Sequence, residues 1–291
     1  MRIRMLAVAG AAALVLAACG GDDGGAEPEV QENPKFEAGS TMAELADSGK
    51  IKIGVKADQP GIGFKDPASG EFEGFDIEMG KIIAAELGIE EDGIEWIETV
   101  SDNREPFLQE GRVDIVIASY SITDDRRQVV GQAGPYYVTG QQLLVREEDK
   151  EKITGPDDLE GVKVCSVTGS TSIERVETEY GASPAPFATY SECVEQLQNN
   201  QVDAVTTDGA ILLGYAAEAP DELEVVGDAF SEERYGIGFK IGDEAMCDFL
   251  KETIEKSYED GTWEDAFAAT LGEADVEAPE PPAVDAECFT S

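Results

Sequence analysis

A helix-to-strand unit that occurs twice is the strongest constraint on how this chain can fold. Residues 108–116 read LQEGRVDIV and residues 197–205 read LQNNQVDAV, with the same residue at five of the nine positions. Each copy occupies the same place in a series of alternating strand and helix patterns. Such alternation predicts sheets covered by helices, and its repetition predicts two similar α/β lobes.

The periodicity of apolar residues supports both series. Residues 51–55 alternate in the way typical of a strand, and residues 75–87 place apolar side chains on one face of a helix. Residues 113–119 then have the composition of a buried strand. The second series begins with a strand pattern at 162–167 and reaches another at 202–207. We expect a mostly parallel sheet in each lobe, flanked by helices.

The two lobes are not expected to be sequential along the chain. A further strand pattern at 235–240 leads into a long amphipathic helix that would return the chain to the first lobe. The stretches GQQLLVR and SEERYGIGF are predicted to cross between the lobes. The prediction is a first lobe of residues 41–142 and 235–291, with a second lobe of residues 143–234 inserted between two hinge crossings.

The first residues have the pattern of an export signal. Arg2 and Arg4 precede an apolar run, Met5 to Ala18, which is too short to span a bilayer comfortably but is typical of a secretion signal. The residues that end this run, LAAC, resemble a bacterial lipobox, in which the cysteine is lipidated and becomes the new N-terminus. The alternative is an ordinary signal peptide that happens to end near a cysteine.

We therefore expect residues 1–18 to be a signal peptide and Cys19 to carry the lipid. Residues 19–40 begin with a run rich in Gly and Asp, and we expect them to form a disordered tether because they offer little apolar surface. The protein would be held at the extracytoplasmic face of the cell membrane by its lipid anchor alone.

The composition excludes several classes of function. The chain has 62 acidic and 21 basic residues and a net charge of −41, which argues against binding to nucleic acid or to an anionic membrane surface. It contains no histidine, so His-dependent catalytic triads and Cys/His zinc sites are excluded. We predict no catalytic residues, no metal site and no cofactor.

Four cysteines remain besides Cys19. An even number in an exported chain favours disulfides, and four cysteines allow three pairings. We favour the pairing in which each bond lies within one predicted lobe, and the second bond would then pin the proline-rich C-terminal tail. The favoured bonds are Cys165–Cys193 and Cys247–Cys288.

The expected ligand site lies between the lobes, because ligands of open α/β sheets bind at the carboxyl ends of the strands. In the first lobe, Ser119 and Ser121 end a predicted strand, and Arg126 lies in the turn that follows. By itself Arg126 would most often be a solvated surface charge. Arg127, next to it, is expected to face solvent.

The second lobe offers complementary groups at two strand ends. The stretch VTGSTS, which contains Gly169 and Thr171, provides backbone N–H groups and hydroxyls at a helix start, where an anion is favoured. It lacks the Gly-Lys-Ser/Thr ending of a nucleotide P-loop. Asp208 also precedes a helix, so either stretch could simply be an N-cap. Together, a guanidinium facing a carboxylate suits the α-carboxylate and α-ammonium of an amino acid.

These stretches resemble the family 3 solute-binding proteins of amino-acid ABC importers, and the resemblance covers about residues 50–271. It implies a two-lobed, type II periplasmic-binding-protein fold in which Arg126 binds the ligand α-carboxylate and Asp208 its ammonium group. Residues that match Ser119, Ser121 and Thr171 complete the site. The stretches that carry the resemblance are GFDIEMGKIIAAELG, VDIVIASYSITDDRRQVV, PYYVTGQQLLV, LEGVKVCSVTGSTS, VDAVTTD, YGIGF and EDGTWEDAF.

Within the family, the chain looks most similar to the Gram-positive glutamate-binding lipoproteins. The resemblance rests on GVKADQPGIGF, SDNRE and the Cys165/Cys193 pair. It implies that Lys56 and Arg104 line the distal end of the ligand, where a cation suits a second carboxylate. The alternative is that either residue is a surface ion-pair partner.

The expected partners are an amino acid and an ABC permease with a cytoplasmic ATPase, and the protein is expected to act as a monomer. Glutamate is the preferred ligand, with glutamine, asparagine or aspartate as alternatives. Two other functions are open on the same fold. One is an enzyme similar to cyclohexadienyl dehydratase, which would use Asp208 as an acid, and the other is a sensor for a separate signalling partner.

Overall fold

The computed structural model describes residues 28–274, 276 and 278–289. The predicted signal peptide and Cys19 lie outside this part of the chain. Within it, none of the helices combines the length and apolar content needed to cross a bilayer.

The helices and strands alternate along the chain. The first part contains α1 (Thr41–Ser48), β1 (Ile51–Val55), β2 (Asp58–Gln59), β3 (Gly63–Lys65), β4 (Phe72–Glu73), α2 (Phe75–Glu86), β5 (Ile94–Glu98), α3 (Arg104–Gln109), β6 (Ile115–Val116), α4 (Asp124–Arg127), β7 (Gly131–Thr139) and β8 (Gln141–Arg146). The second part contains β9 (Lys163–Val167), α5 (Thr171–Thr178), β10 (Ser183–Phe187), α6 (Tyr190–Gln198), β11 (Ala204–Asp208), α7 (Gly209–Glu218), β12 (Leu223–Val226), β13 (Glu233–Phe239), α8 (Glu244–Asp260) and α9 (Thr262–Ala268).

Two five-stranded sheets with the same arrangement form the two lobes. Their strand orders are β5-β1-β6-β13-β7 in the first lobe and β10-β9-β11-β8-β12 in the second. In each sheet four strands run in one direction and one strand, β13 in the first sheet and β8 in the second, runs against them, so both sheets are mixed. The repeated sequence unit forms α3 and β6 in one lobe and α6 and β11 in the other. The predicted two-lobed fold is confirmed.

The chain crosses between the sheets at two adjacent points. Only Gly140 separates β7 of the first sheet from β8 of the second, and β13 returns the chain to the first sheet at Glu233. The two crossings touch, since a Cβ at Gly140 would lie 2.4 Å from the carbonyl oxygen of Ser231. This contact is why Gly140 has no side chain. The division of the chain at 142/143 and 234/235 stays a prediction.

Aromatic side chains fill the core of the first lobe beneath the crossings. Phe75 lies within 6.0 Å of the rings of Tyr136, Tyr137, Trp263 and Phe267, measured between ring centroids. The indole N–H of Trp263 donates to the carbonyl oxygen of Tyr136 at 2.8 Å. Burial of rings of this size contributes strongly to stability and fixes the start of α2, which borders the cleft.

Part of the segment predicted to be a disordered tether packs on the first lobe. The amide of Gln31 donates to the carbonyl oxygen of Ala85 at 2.9 Å, and the ring of Phe36 meets Phe249 edge-on at 5.7 Å. The prediction that the tether is disordered was therefore wrong for residues 28–40. Their apolar content is low, but Phe36 packs against α8 through Phe249.

Both predicted disulfides are present. Cys165–Cys193 joins β9 to α6, and Cys247–Cys288 joins α8 to the C-terminal tail. Each bond lies within one lobe, so neither restrains the cleft between the lobes.

Candidate ligand-binding site

A small cavity lies between the two sheets, where the ends of their strands face one another. The cavity is nearly closed, with a volume of about 10 Å³. Most of its lining is polar, which suits a small hydrophilic ligand. The lining residues are Ser101, Arg104, Ser119, Ser121 and Arg126 from the first lobe and Ser170, Thr171, Ser172, Tyr190, Thr207, Asp208 and Ile211 from the second.

Asp208 stands at the N-cap position of α7 but does not cap the helix. Its Oδ2 instead accepts a hydrogen bond from the hydroxyl of Tyr235 at 2.6 Å, and its Oδ1 has no hydrogen-bond partner among the described residues. Burial, together with repulsion from Glu233, raises the pKa of Asp208 to about 7. A buried carboxylate oxygen without a donor is strongly stabilised by a cation. The N-cap alternative for Asp208 was wrong.

Two arginines of the first lobe converge on one carbonyl oxygen of the second. The oxygen of Gly169 accepts from Arg126 Nη2 at 3.0 Å and from Arg104 Nη2 at 3.2 Å. Both guanidinium groups also lie over the ring of Tyr120, with Cζ 4.9 Å and 4.4 Å from its centroid. An ionised carboxylate binds guanidinium more strongly than a neutral carbonyl does, so this position favours an anion.

The second-lobe loop that carries Gly169 approaches the first lobe closely. Gly169 has a φ of 78°, and a Cβ there would lie 2.9 Å from the Cα of Asp102. Both the left-handed backbone and the close approach therefore require glycine. In this conformation the carbonyl of Gly169, rather than its N–H group, faces the arginines.

Arg126 is held by groups from its own turn and from α3. Its Nη1 donates to the carbonyl oxygen of Ser121 at 2.7 Å, and its Nε lies 3.2 Å from Glu105 Oε1. Thr123 caps the single turn of α4, and its hydroxyl accepts from the amide of Arg126 at 3.2 Å. These contacts leave Arg126 Nη2 directed to the second lobe.

Lys56 and Arg104 are both buried, with 4% and 2% of their surface exposed. Lys56 Nζ donates to Ser101 Oγ at 2.7 Å, and Arg104 Nε donates to the carbonyl oxygen of the same serine at 3.1 Å. Burial, with repulsion from Arg104, lowers the pKa of Lys56 to about 7. Burial, with repulsion from Arg126, lowers the pKa of Arg104 to about 10. The surface ion-pair alternative for these two cations was wrong.

Asp76 holds the strand end that carries Ser119, and the sequence patterns did not single it out. Its Oδ2 accepts from the amide of Ser119 at 2.7 Å, and its Oδ1 accepts from the hydroxyl of Tyr136 at 2.6 Å. Ser119 has a φ of 42°, an uncommon value for serine that the bond to Asp76 stabilises. Burial raises the pKa of Asp76 to about 6. An acidic residue on the predicted apolar helix face was the available signal.

Thr171 contacts a second residue that sequence reasoning missed. Its hydroxyl donates to Glu233 Oε2 at 3.0 Å, and Arg175 Nη1 donates to the other oxygen of Glu233 at 2.7 Å. Arg175 Nη1 also donates to Gln141 Oε1 at 2.9 Å. Because Gln141 and Glu233 belong to different crossings, Arg175 joins both crossings to α5.

Arg127 does not face solvent, and that prediction was wrong. It is 9% exposed, and its Nη1 lies 2.9 Å from Asp285 Oδ2 in the C-terminal tail. The turn of α4 directs consecutive side chains to different sides, so Arg126 faces the cavity and Arg127 faces the tail. The sequence of α4 alone does not show that the tail is there.

Two lobes joined by two crossings, with charged groups facing a cavity between them, define a binding protein for a small solute. The chain belongs to the bacterial extracellular solute-binding proteins, family 3, whose profile matches residues 51–273. The predicted family is confirmed.

Similar proteins agree with this family assignment. The glutamate-binding protein GluB of Corynebacterium efficiens is 38% identical over 81% of this chain and 84% of its own length. The ABC transporter glutamine-binding protein GlnH of Bacillus subtilis is 36% identical over 90% of this chain and 94% of its own. The ancestral amino acid-binding protein AncCDT-1, a precursor of cyclohexadienyl dehydratase, has a solved structure that superposes with a TM-score of 0.73. That structure is 30% identical and covers 80% of this chain and 100% of its own.

Proposed function

We propose that this protein captures an amino acid with an acidic side chain, glutamate above all, and delivers it to an ABC permease for import. One observation carries the proposal. Two guanidinium groups share the carbonyl of Gly169 on one side of the cavity. The other side holds Oδ1 of Asp208, which is buried and has no hydrogen-bond partner within the described part of the chain. A zwitterion presents a carboxylate and an ammonium group one carbon apart, which matches these opposite charges.

Each charged group has a distinct role in this proposal. The ligand α-carboxylate replaces the Gly169 carbonyl on Arg126, and the ligand ammonium donates to Asp208 Oδ1. The distal carboxylate of glutamate meets the cations beyond Arg126. Arg104 shares its carbonyl partner with Arg126 and so can serve either carboxylate, whereas Lys56 lies farther along, beside Ser101. Ser119, Ser121 and Thr171 supply hydroxyls around the ligand.

The preference for glutamate depends on Lys56 and Arg104, because a distal cation distinguishes a carboxylate from an amide. The net charge of the chain disfavours glutamate, since a charge of −41 repels an anionic ligand. The local cations act at contact distance, whereas the repulsive field of the exposed acids is screened by salt. The names of the relatives GluB and GlnH support glutamate and glutamine as the two ligands to compare.

Calorimetric titration with the twenty amino acids tests the proposal. Glutamate should bind most tightly. Arg126→Ala should make the binding free energy of every amino acid less favourable by roughly 2–5 kcal/mol, because a desolvated α-carboxylate loses its partner. Arg112→Ala is the matched control, since Arg112 is exposed and its guanidinium lies over Phe107. Failure of the wild type to bind any amino acid would overturn the proposal.

A dehydratase on the same fold has one observation in its favour. The pKa of Asp208 is raised to about 7, so this carboxyl group could carry a proton near neutral pH. The bond from Tyr235 to Asp208 Oδ2 opposes that role, because a donated hydrogen bond favours the ionised form. Incubation with a cyclohexadienyl acid should give no product, whereas turnover that is lost in Asp208→Asn would establish the enzyme.

The proposed location is the extracytoplasmic face of the cell membrane, through lipid on Cys19. The observation behind it is the lipobox-like sequence that ends at this cysteine. Cys19→Ala should release the protein from membranes into the soluble fraction. Membrane association that is unchanged in this variant would contradict lipid anchoring.

A further inference from the structure

The C-terminal tail, which we define as residues 278–289, covers the open edge of the first sheet. That edge is formed by β7, and β5 forms the opposite edge. The amide of Asp285 donates to the carbonyl oxygen of Gly134 at 2.8 Å, and the amide of Gln132 donates to the carbonyl oxygen of Cys288 at 2.8 Å. The Cys247–Cys288 disulfide holds this addition against α8. The tail lies beyond residues 51–273, the part of the chain that matches the family profile.

One carboxylate of the tail joins the two chain segments that border the cavity. Asp285 Oδ2 lies 2.9 Å from Arg127 Nη1, and Asp285 Oδ1 lies 2.5 Å from Arg234 Nη2. Arg127 follows Arg126 in the chain, and Arg234 precedes Tyr235, the donor to Asp208. The ion pair between Arg127 and Asp285 is largely shielded from water, because the side chain of Arg127 is only 10% exposed.

Gln132 forms a second link from the tail to Arg126. While its amide contacts Cys288, its side-chain Nε2 donates to the carbonyl oxygen of Ser121 at 3.2 Å, and its Oε1 accepts from the amide of Thr123 at 3.2 Å. The carbonyl oxygen of Ser121 also accepts from Arg126 Nη1. Tail, edge strand and ligand-site arginine are therefore joined by consecutive hydrogen bonds.

The segment that carries Arg126 depends on such support. α4 contains four residues, and an isolated helix of one turn has no stability of its own. Arg127 and Arg234 would repel each other without the carboxylate between them. The buried guanidinium of Arg127 contacts Asp285 through Nη1 and the carbonyl oxygen of Gln132 through Nη2. Its Nε has no hydrogen-bond partner among the described residues.

We infer that Asp285 is a positioning residue for Arg126, and that the C-terminal tail sets ligand affinity by fixing the turn that carries this arginine. The inference rests on the proposed role of Arg126 in ligand binding. A tail that only covered the sheet edge would protect β7 from pairing with other chains, but it would not require a buried carboxylate shared by two arginines beside the cavity.

The first test measures the unliganded protein, so it does not depend on the identity of the ligand. In Asp285→Asn, amide hydrogen exchange should accelerate about tenfold at Ile122, Thr123, Arg126 and Arg127, whose N–H groups are all hydrogen-bonded in this turn. Amides of β11 in the second lobe should exchange as in the wild type. Unchanged exchange in the turn would overturn the inference, whether or not any amino acid binds.

The second test measures the dissociation constant of the tightest amino-acid ligand. Asp285→Asn should weaken binding about tenfold, and Asp285→Glu should restore most of the loss. In an Arg126→Lys background, Asp285→Asn should change the dissociation constant less than twofold. The lysine has no guanidinium group for Asp285 to position. Equal losses in both backgrounds would show a general structural role and overturn the inference.

Glu287→Gln is the matched control. Glu287 is exposed, lies two residues from Asp285 and forms no ion pair within the described part of the chain. It removes the same charge from the same tail and should change neither exchange nor binding. If Asp285→Asn does not fold, Arg234→Gln removes only one partner of Asp285, at a side chain that is 32% exposed. It should accelerate exchange at Ile122 and Thr123 about threefold, and no change there would equally overturn the inference.

Discussion

The hydroxyl of Tyr235 donates a 2.6 Å hydrogen bond to Oδ2 of Asp208. Tyr235 belongs to β13 of the first sheet, and Asp208 ends β11 of the second. This bond therefore joins the two lobes at the cavity, and it leaves Oδ1 of Asp208 as the oxygen available to a ligand ammonium group. The carboxylate that we propose binds the ligand ammonium group therefore belongs to one lobe and is oriented by the other.

Tyr235→Phe should weaken amino-acid binding about tenfold at pH 7, because a hydrogen bond to a charged group contributes roughly 1.5–3 kcal/mol. Its loss should also raise the pKa of Asp208 further, since the donated bond favours the ionised form. Calorimetric titration against pH measures both effects. Tyr258→Phe is the control, because Tyr258 donates to the carbonyl oxygen of Pro135 away from the cavity. Equal binding by Tyr235→Phe and wild type would contradict the assigned role.

Asp208→Asn should abolish high-affinity binding and stabilise the unliganded protein. The folded state binds the Asp208 proton more tightly than the unfolded state, because burial and Glu233 raise its pKa to about 7 from an ordinary 3.8. The free energy of unfolding of the wild type therefore falls as pH rises from about 4 to about 7. The variant should lack this decrease and exceed the wild type by ~4 kcal/mol at pH 8.

Denaturant unfolding at pH 4.5 and pH 8 measures the stability effect of Asp208. Asp221→Asn, at an exposed position, should behave as the wild type at both values. A stability gain for Asp208→Asn that is the same at pH 4.5 and pH 8 would show that ionisation of Asp208 is not its cause.

Glutamate and glutamine should differ in the pH dependence of their binding. Both need ionised Asp208, so both should bind more weakly as pH falls below about 7. Lys56 has a pKa of about 7 because it is buried near Arg104, and it loses its charge above that pH. Only glutamate offers a distal carboxylate to Lys56. Glutamate affinity should therefore also fall above pH 7, while glutamine affinity levels off.

Lys56→Met should remove the alkaline decrease and lower the glutamate-to-glutamine affinity ratio, because a methionine offers no charge to the distal group. Titration of both ligands from pH 5.5 to 8.5 measures the ratio. Lys52→Met, at an exposed position on β1, the strand that Lys56 follows, is the control. An unchanged ratio in Lys56→Met would remove the basis for an acidic ligand but not for an amino acid.

Replacement of both Cys165 and Cys193 by serine should lower the free energy of unfolding by about 3–4 kcal/mol in the chain-entropy model, since the bond closes a loop with a sequence separation of 28. Ligand affinity should change less than twofold, because the bond lies within the second lobe. Urea unfolding of the variant and of the oxidised wild type measures the difference. A loss below 1 kcal/mol would contradict the prediction.

Much of the architecture could be predicted because its signals are local. The apolar periodicity of residues 75–87 and of 51–55 corresponds to α2 and β1 as observed. The short ribbon of β2, β3 and β4 was missed, since strands of two or three residues have no periodicity to detect. The predicted strand at 113–119 pairs regularly only at β6.

The sequence determined the repeated helix-to-strand unit and the residue types that suit a zwitterion, because each depends on spacing or chemistry along the chain. Only the tertiary structure decided which side chains meet. Asp76, Glu233 and Tyr235 come from distant segments to contact residues that line the cavity, and Asp285 brings the C-terminal tail to Arg127. Such contacts depend on how distant segments pack, within the first lobe for Asp76 and Asp285 and between the lobes for Glu233 and Tyr235. They cannot be read locally because neither partner's own neighbours in sequence specify the other.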